Sequence, residues 1–129
     1  MKVTYPAVFH EDERGGYFID FPDVENAFTE GETIQESLEM AQEVLGSILA
    51  ISYIEKGAEL PEITPIKQIE TDEKSFTTLI TAEPLRYVKD SKTVRKNVTI
   101  PEWLVKKAEK AQINFSETLT EALFKKLEG

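Results

Sequence analysis

Between Thr93 and Pro101 the chain alternates two kinds of side chain. Thr93, Arg95, Asn97 and Thr99 carry hydrogen-bonding groups, while Val94, Val98 and Ile100 are apolar. Alternate residues of a strand face opposite sides, so in extended backbone the polar set shares one surface. Those types suit the edges of nucleic-acid bases: Arg pairs with guanine, Asn with adenine, and Thr bonds to either or touches a thymine methyl. Lys96 falls among the apolar set, where its stem can lie along the surface while its ammonium group reaches a phosphate. The chemistry expected of this stretch is base and phosphate contact.

Other side chains capable of chemistry are sparse or unorganised. There is no cysteine, which removes disulfide and thiol chemistry, and one histidine, His10. His10 has no nucleophile or carboxylate pair at a recognisable spacing, so it reads as a strand-end residue and not a general base. Gly15-Gly16 lacks the spacing and the following Lys-Ser/Thr of a phosphate-binding loop. Asp20, Asp23 and Glu25 are close in sequence, but a two-metal site needs several acids converging on ions ~3.5–4 Å apart. Asp20 would face away from its neighbours Ile19 and Phe21, as a solvated side chain does. No catalytic, metal-binding or cofactor-binding constellation emerges, and the expectation is a protein that is not an enzyme.

The elements that must position the polar strand follow it directly. Pro101 suits the first turn of a helix, where its missing N–H costs little. Leu104, Val105, Ala108 and Ala111 then recur at helical spacing, predicting a helix over about 102–111. After a turn at Gln112-Ile113, Asn114-Phe115-Ser116-Glu117 has a capping-box pattern with Asn114 as the cap. The second helix places Leu119, Ala122, Leu123 and Leu127 inward. Its N-terminus at Asn114, Phe115 and Ser116 offers N–H groups to a phosphate. A strand and two helices over 93–129 cannot bury an adequate core alone, and a lone strand has two unpaired edges. Two chains pairing their strands and interlocking their helices solve both problems. That arrangement is a ribbon-helix-helix, a β-ribbon reader of the major groove.

Upstream, Val3 to Phe9 is rich in β-formers, and Pro6 predicts an edge position for that strand. Tyr17 to Phe21 completes a hairpin around the Gly15-Gly16 turn. Ala27 to Thr29 predicts a short third strand ending by Gly31. Thr33 to Glu36 is a capping box, opening a helix with Ile34, Leu38, Ala41, Leu45 and Ile48 on its apolar face and Gly57 at its end. Residues 58–75 read as loop, and Phe76 to Thr81 as a further strand. Strands covered by one long helix make an α+β layer. The expected organisation is a body over 1–84, a linker over 85–92 and the tail over 93–129.

Composition agrees with a folded, non-membrane chain. Of 129 residues 40% are apolar, close to ordinary folded proteins. The longest apolar run is four residues, Ile48 to Ile51, far short of a membrane span. Met1-Lys2 leads straight into alternating sequence with no signal-like segment, so a cytoplasmic location is expected. The net charge of −9 would repel nucleic acid if it were spread evenly. It is not: residues 1–90 hold 19 acidic and 7 basic side chains, net −12, whereas 91–129 hold 5 and 8, net +3. An acidic body and a basic tail call for partners of opposite charge.

Several short motifs sharpen this reading. Tyr5-Pro6-Ala7-Val8-Phe9, Gly15-Gly16-Tyr17 with Phe21-Pro22-Asp23, and Gly31-Glu32-Thr33 leading into Glu36-Ser37-Leu38 together resemble a HicB-type antitoxin, closely over 1–57 and less so over 58–90. A ribbon-helix-helix is one of the two DNA-binding tails that family uses. The chain departs from the pattern at Glu25-Asn26-Ala27, where many members have a Pro-Gly-Cys-like turn. The resemblance implies a partial RNase H-like body used for binding, and no acid in Val3 to Phe9 stands where such nucleases place their first metal ligand. It also implies a small basic HicA-type partner, an mRNA-cleaving toxin, with Glu11, Asp12, Asp20, Asp23 and Glu25 as expected contacts. The tail would bind operator DNA as a homodimer, or a higher oligomer, and repress its own operon. Two other readings stand beside this one: a metal-dependent RNase H-like nuclease, and a ligand-sensing repressor without a toxin partner.

Overall fold

Residues Val3–Glu11 form strand β1, whose alternation sends Tyr5, Ala7 and Phe9 to one side, all buried. A turn over 12–16 reverses the chain into β2, Tyr17–Asp20, and a second reversal leads to β3, Phe28–Gly31. With β4, Ser75–Ala82, these make an antiparallel sheet in the order β3-β2-β1-β4. The coordinates are a computed structural model that describes residues 1–128; two compact units divide at Asp90 and Ser91.

β1 is an interior strand, not the edge strand that Pro6 predicts. The reason is local: β2 pairs with β1 only over Val8 to Glu11, while β4 pairs from Val3 to His10. At Pro6, opposite Leu79, β1 is therefore paired on one side only, and a residue without an N–H is tolerated there.

Helix α1, Ile34–Leu49, packs across one face of the sheet. Thr33 caps it, its hydroxyl accepting from the Glu36 N–H at 3.1 Å. The buried stripe is Ser37, Ala41, Leu45 and Leu49 with Gly46, packed on Tyr5, Phe9, Ile19, Ile80 and Ala82. Ile34 and Leu38, expected on that stripe, are exposed. The stripe is rotated because the closest approaches are made by small residues that hydrophobicity alone does not mark. A Cβ on Gly46 would run into the Tyr87 ring.

The helix widens to a π turn over Ala50–Ile54 and stops at Gly57, whose φ of 68° is left-handed. The Gly57 and Ala58 N–H groups return to Ile54 and Tyr53 carbonyls, closing the end in a Schellman arrangement. Residues 58–74 are mostly irregular, with a short 3-10 turn at Ile66–Gln68. After β4 a second 3-10 turn, Pro84–Tyr87, buries Pro84 and lays Tyr87 over Gly46. Leu85 to Tyr87, expected in the linker, thus belong to the first unit.

The second unit contains α2, Glu102–Lys110, and α3, Phe115–Glu128. Between them Gln112 takes a φ of 58°, with the Ile113 N–H on Ala108 and the Gln112 N–H on Glu109. This is again a Schellman end, here with a side chain in the left-handed position. Residues 88–100 carry no helix or strand. A strand is defined by its ladder, and in a single chain the 93–100 stretch has none.

Candidate interaction surfaces

The acids of the body divide into those holding its turns and those facing outward. Asp12 Oδ1 accepts the N–H groups of Arg14 and Gly16 at 2.8 and 2.9 Å, an Asx turn that shapes the hairpin tip. Asp23 accepts from the Thr64 N–H at 2.9 Å and its hydroxyl at 2.5 Å, tying the Phe21 to Ala27 turn to the 58–74 segment. Both acids, expected as partner contacts, also hold the body's own turns. Glu11 ends β1 in an exposed position, and Glu25 is exposed beside Asn26, whose φ is 65°.

The sheet face opposite α1 gathers a different set. By strand register, Glu30, Phe18, His10 and Ser75 make one row across it, and Phe28, Asp20, Val8 and Thr77 the next. His10 Nε2 lies 2.7 Å from Asp20 Oδ1. The Phe18 ring centroid is 5.9 Å from His10 and 6.3 Å from Phe28. Phe18 and Phe28 remain 45% and 57% exposed, and Leu79, opposite Pro6, 54%. Sequence reasoning placed Asp20 on this face but missed the aromatic pair. The signal was present, since Phe18 and Asp20 flank Ile19 in the strand and face outward when Ile19 faces inward.

In the second unit Thr93, Arg95, Asn97, Thr99 and Lys96 are all exposed. Asn114 Oδ1 accepts the Glu117 N–H at 3.0 Å, the predicted cap, so Phe115 and Ser116 sit in the first turn of α3. A helix start leaves N–H groups without intrahelical partners. Neither helix buries a residue; Trp103, Leu104, Leu119, Leu123, Phe124 and Leu127 all stay exposed.

No group of three or more described His, Asp or Glu side chains is placed to hold a metal ion. No helix among the described residues is long and apolar enough to cross a membrane.

Residues 5–125 match a family described as "HicB_like antitoxin of bacterial toxin-antitoxin system". The chain belongs to the HicB-like antitoxin family. It is 38% identical over 71 residues to Antitoxin HicB 1 of Photorhabdus laumondii subsp. laumondii, covering 55% of this chain and 45% of that protein. Antitoxin HicB 2 of the same organism is 40% identical over 60 residues, 46% of this chain and 42% of that one. The match thus spans less than half the length of these curated relatives. Among solved structures, a chain of a toxin-antitoxin complex from Streptococcus pneumoniae superposes with a TM-score of 0.62 at 34% identity, covering 98% of this chain and 99% of that one. The Burkholderia pseudomallei antitoxin HicB shares the fold, with a TM-score of 0.54 at 22% identity over 94% of this chain and 96% of that one.

Placed in the HicB-like family, the two units have separate local logic. The sheet and α1 bury a core within residues 1–90. The tail helices bury none.

Proposed function

We propose that this HicB-like antitoxin binds and neutralises a small, basic, HicA-type RNA-cleaving toxin through its body, and represses its own operon through a dimeric tail. The observation that carries this reading is the pairing of family membership over residues 5–125 with a charge that reverses between the units, −12 over 1–90 and +3 over 91–129. An acidic surface steers a basic protein toward it and penalises acidic competitors. A body with its own core can do so as a binding relative of an RNase H-like fold, without catalysis.

The tail is read as half of a ribbon-helix-helix. Its apolar residues, bared in one chain, would form the core of two, and the 93–100 stretch would gain its ladder from the same stretch of a second copy. Thr93, Arg95, Asn97 and Thr99 would then face base edges, with Lys96 and the α3 start at Asn114, Phe115 and Ser116 on phosphates.

Co-expression with the cognate HicA-type toxin tests the reading. Growth should be restored, and the two proteins should co-purify without the toxin's RNA cleavage. The complex should retard its promoter fragment in a gel. Steady Mg²⁺-dependent RNA cleavage by the chain alone, lost in Asp20→Ala, would instead establish the nuclease reading. Purification from native cells with no small basic protein attached would favour the ligand-sensing repressor.

A further inference from the structure

The most unusual surface of the body is the sheet face turned away from α1. Two phenylalanines on adjacent strands, Phe18 and Phe28, lie side by side with about half of each exposed to solvent. Aromatic side chains so placed are poor surface residues and good anchors for a partner. Each has a carboxylate directly across the ladder, Glu30 opposite Phe18 and Asp20 opposite Phe28. Every other position on that face is uncharged or histidine: Thr4, Pro6, Val8 and His10 on β1, and Ser75, Thr77, Leu79 and Thr81 on β4. The face carries no lysine or arginine.

That chemistry selects an occupant. An apolar centre rimmed by Asp20 and Glu30 disfavours a second copy of the same face, since the pair would gather four carboxylates with no lysine or arginine among them. It suits a protein presenting apolar side chains flanked by Arg or Lys, whose cations can meet both the carboxylates and the aromatic rings. His10 is already paired with Asp20, so one basic partner group has a precedent on the face itself.

We infer that the Phe18 and Phe28 sheet face, rimmed by Asp20 and Glu30, is the surface on which the body holds its basic toxin. The inference rests on the proposed antitoxin function and adds the location and character of its interface. It moves the centre of binding away from Asp12 and Asp23, which hold turns, and makes aromatic burial the source of affinity, with the acids giving approach and register. Both rings are about half exposed and neither belongs to the core behind α1, so replacing them removes no contact of that core.

The experiment is a titration of the full chain with the purified cognate HicA-type toxin, by calorimetry at fixed salt. Four proteins are compared: wild type, Phe18→Lys with Phe28→Lys, Glu30→Lys, and Glu43→Lys on the outer side of α1 as a charge-matched control. Circular dichroism and thermal melting verify that each is folded. The double variant should bind at least about 30-fold more weakly, as the loss of a central anchor does. Glu30→Lys should weaken binding further than Glu43→Lys does. Unchanged affinity in the double variant would overturn the inference while leaving the antitoxin function intact. So would a change confined to self-association in gel filtration, which would assign the face to a second copy. If the wild-type chain fails to bind the toxin at all, the proposed function falls and the inference with it.

Discussion

Gly31 and Ser37 meet backbone to backbone where β3 hands over to α1: a Cβ on Gly31 would lie 2.8 Å from both the N and the Cα of Ser37. The contact sets how closely the helix can lie on the sheet. It also buries Ser37 completely, with its hydroxyl lacking a hydrogen-bond partner among the described residues. The two residues therefore respond oppositely to the same change. Gly31→Ala forces the helix start away and should cost about 1–3 kcal/mol, the usual range for overpacking. Ser37→Ala removes a buried unsatisfied hydroxyl and adds helix propensity, and should stabilise by up to about 1 kcal/mol. Urea unfolding followed by far-ultraviolet circular dichroism measures both.

Asp23 is the second structural tie, and its loss should be felt in stability before binding. Asp23→Ala removes both acceptors used by Thr64 and should destabilise the body by about 1–3 kcal/mol. Asp23→Asn keeps one carbonyl oxygen and should recover part of that. A stable Asp23→Ala protein with weakened toxin binding would return Asp23 to the interface.

What could be read in the sequence was what local rules decide. The hairpin, the Thr33 cap, the Gly57 stop and the two tail helices with the Asn114 cap all rest on residues within a few positions of one another. What could not be read depends on distant neighbours. Pro6 lies on an interior strand because β2 ends short of it, which no feature of Val3 to Phe9 discloses. The α1 stripe turned toward Ser37 and Gly46 because Gly31 and Tyr87 approach there. Asp23 looked like a free acid because charge is visible in a sequence and a hydrogen bond to the distant Thr64 is not.

Tyr5 gives the body an alkaline limit. Its hydroxyl donates to the Pro61 carbonyl at 2.6 Å, and burial, with help from the nearby Asp23 and Tyr53, pushes its pKa above the ordinary phenolic value. A pKa raised on folding means that the protonated form is favoured in the native state. The associated stability is whole below the unfolded pKa of about 10 and is lost as pH rises through the folded value. Tyr5→Phe should therefore cost about 0.5–1.5 kcal/mol at neutral pH, where it deletes the hydrogen bond. The difference between the two proteins should shrink above pH ~10. Paired urea titrations on either side of that pH check the sign.

Gln112 holds a left-handed backbone that a glycine would adopt without a steric cost. Gln112→Gly should relieve roughly 1 kcal/mol of strain at the end of α2, partly offset by a more flexible unfolded chain. The tail has no buried core in a single chain, so the gain should appear as a higher melting temperature that rises with protein concentration. A melting temperature independent of concentration would argue against assembly through the tail.

Arg95 and Lys96 are neighbours with opposite expected roles, and DNA binding should separate them. Adjacent residues of a paired strand face opposite sides, so if 93–100 forms the ribbon, Arg95 faces the bases and Lys96 the flank. Arg95→Ala should cost about 1–3 kcal/mol on the operator and little on random DNA, narrowing the gap between them. Lys96→Ala should weaken both about equally and reduce the slope of log affinity against log salt by roughly 1 for each phosphate left without its lysine. A dimer carries each substitution twice, so the measured slopes should change by up to about twice that amount. Fluorescence anisotropy across a salt series, with operator and scrambled duplexes, resolves the two signatures. If Arg95→Ala shifted only the salt slope and left the operator-to-random ratio unchanged, the strand would lie on the backbone, and sequence would have to be read by other residues.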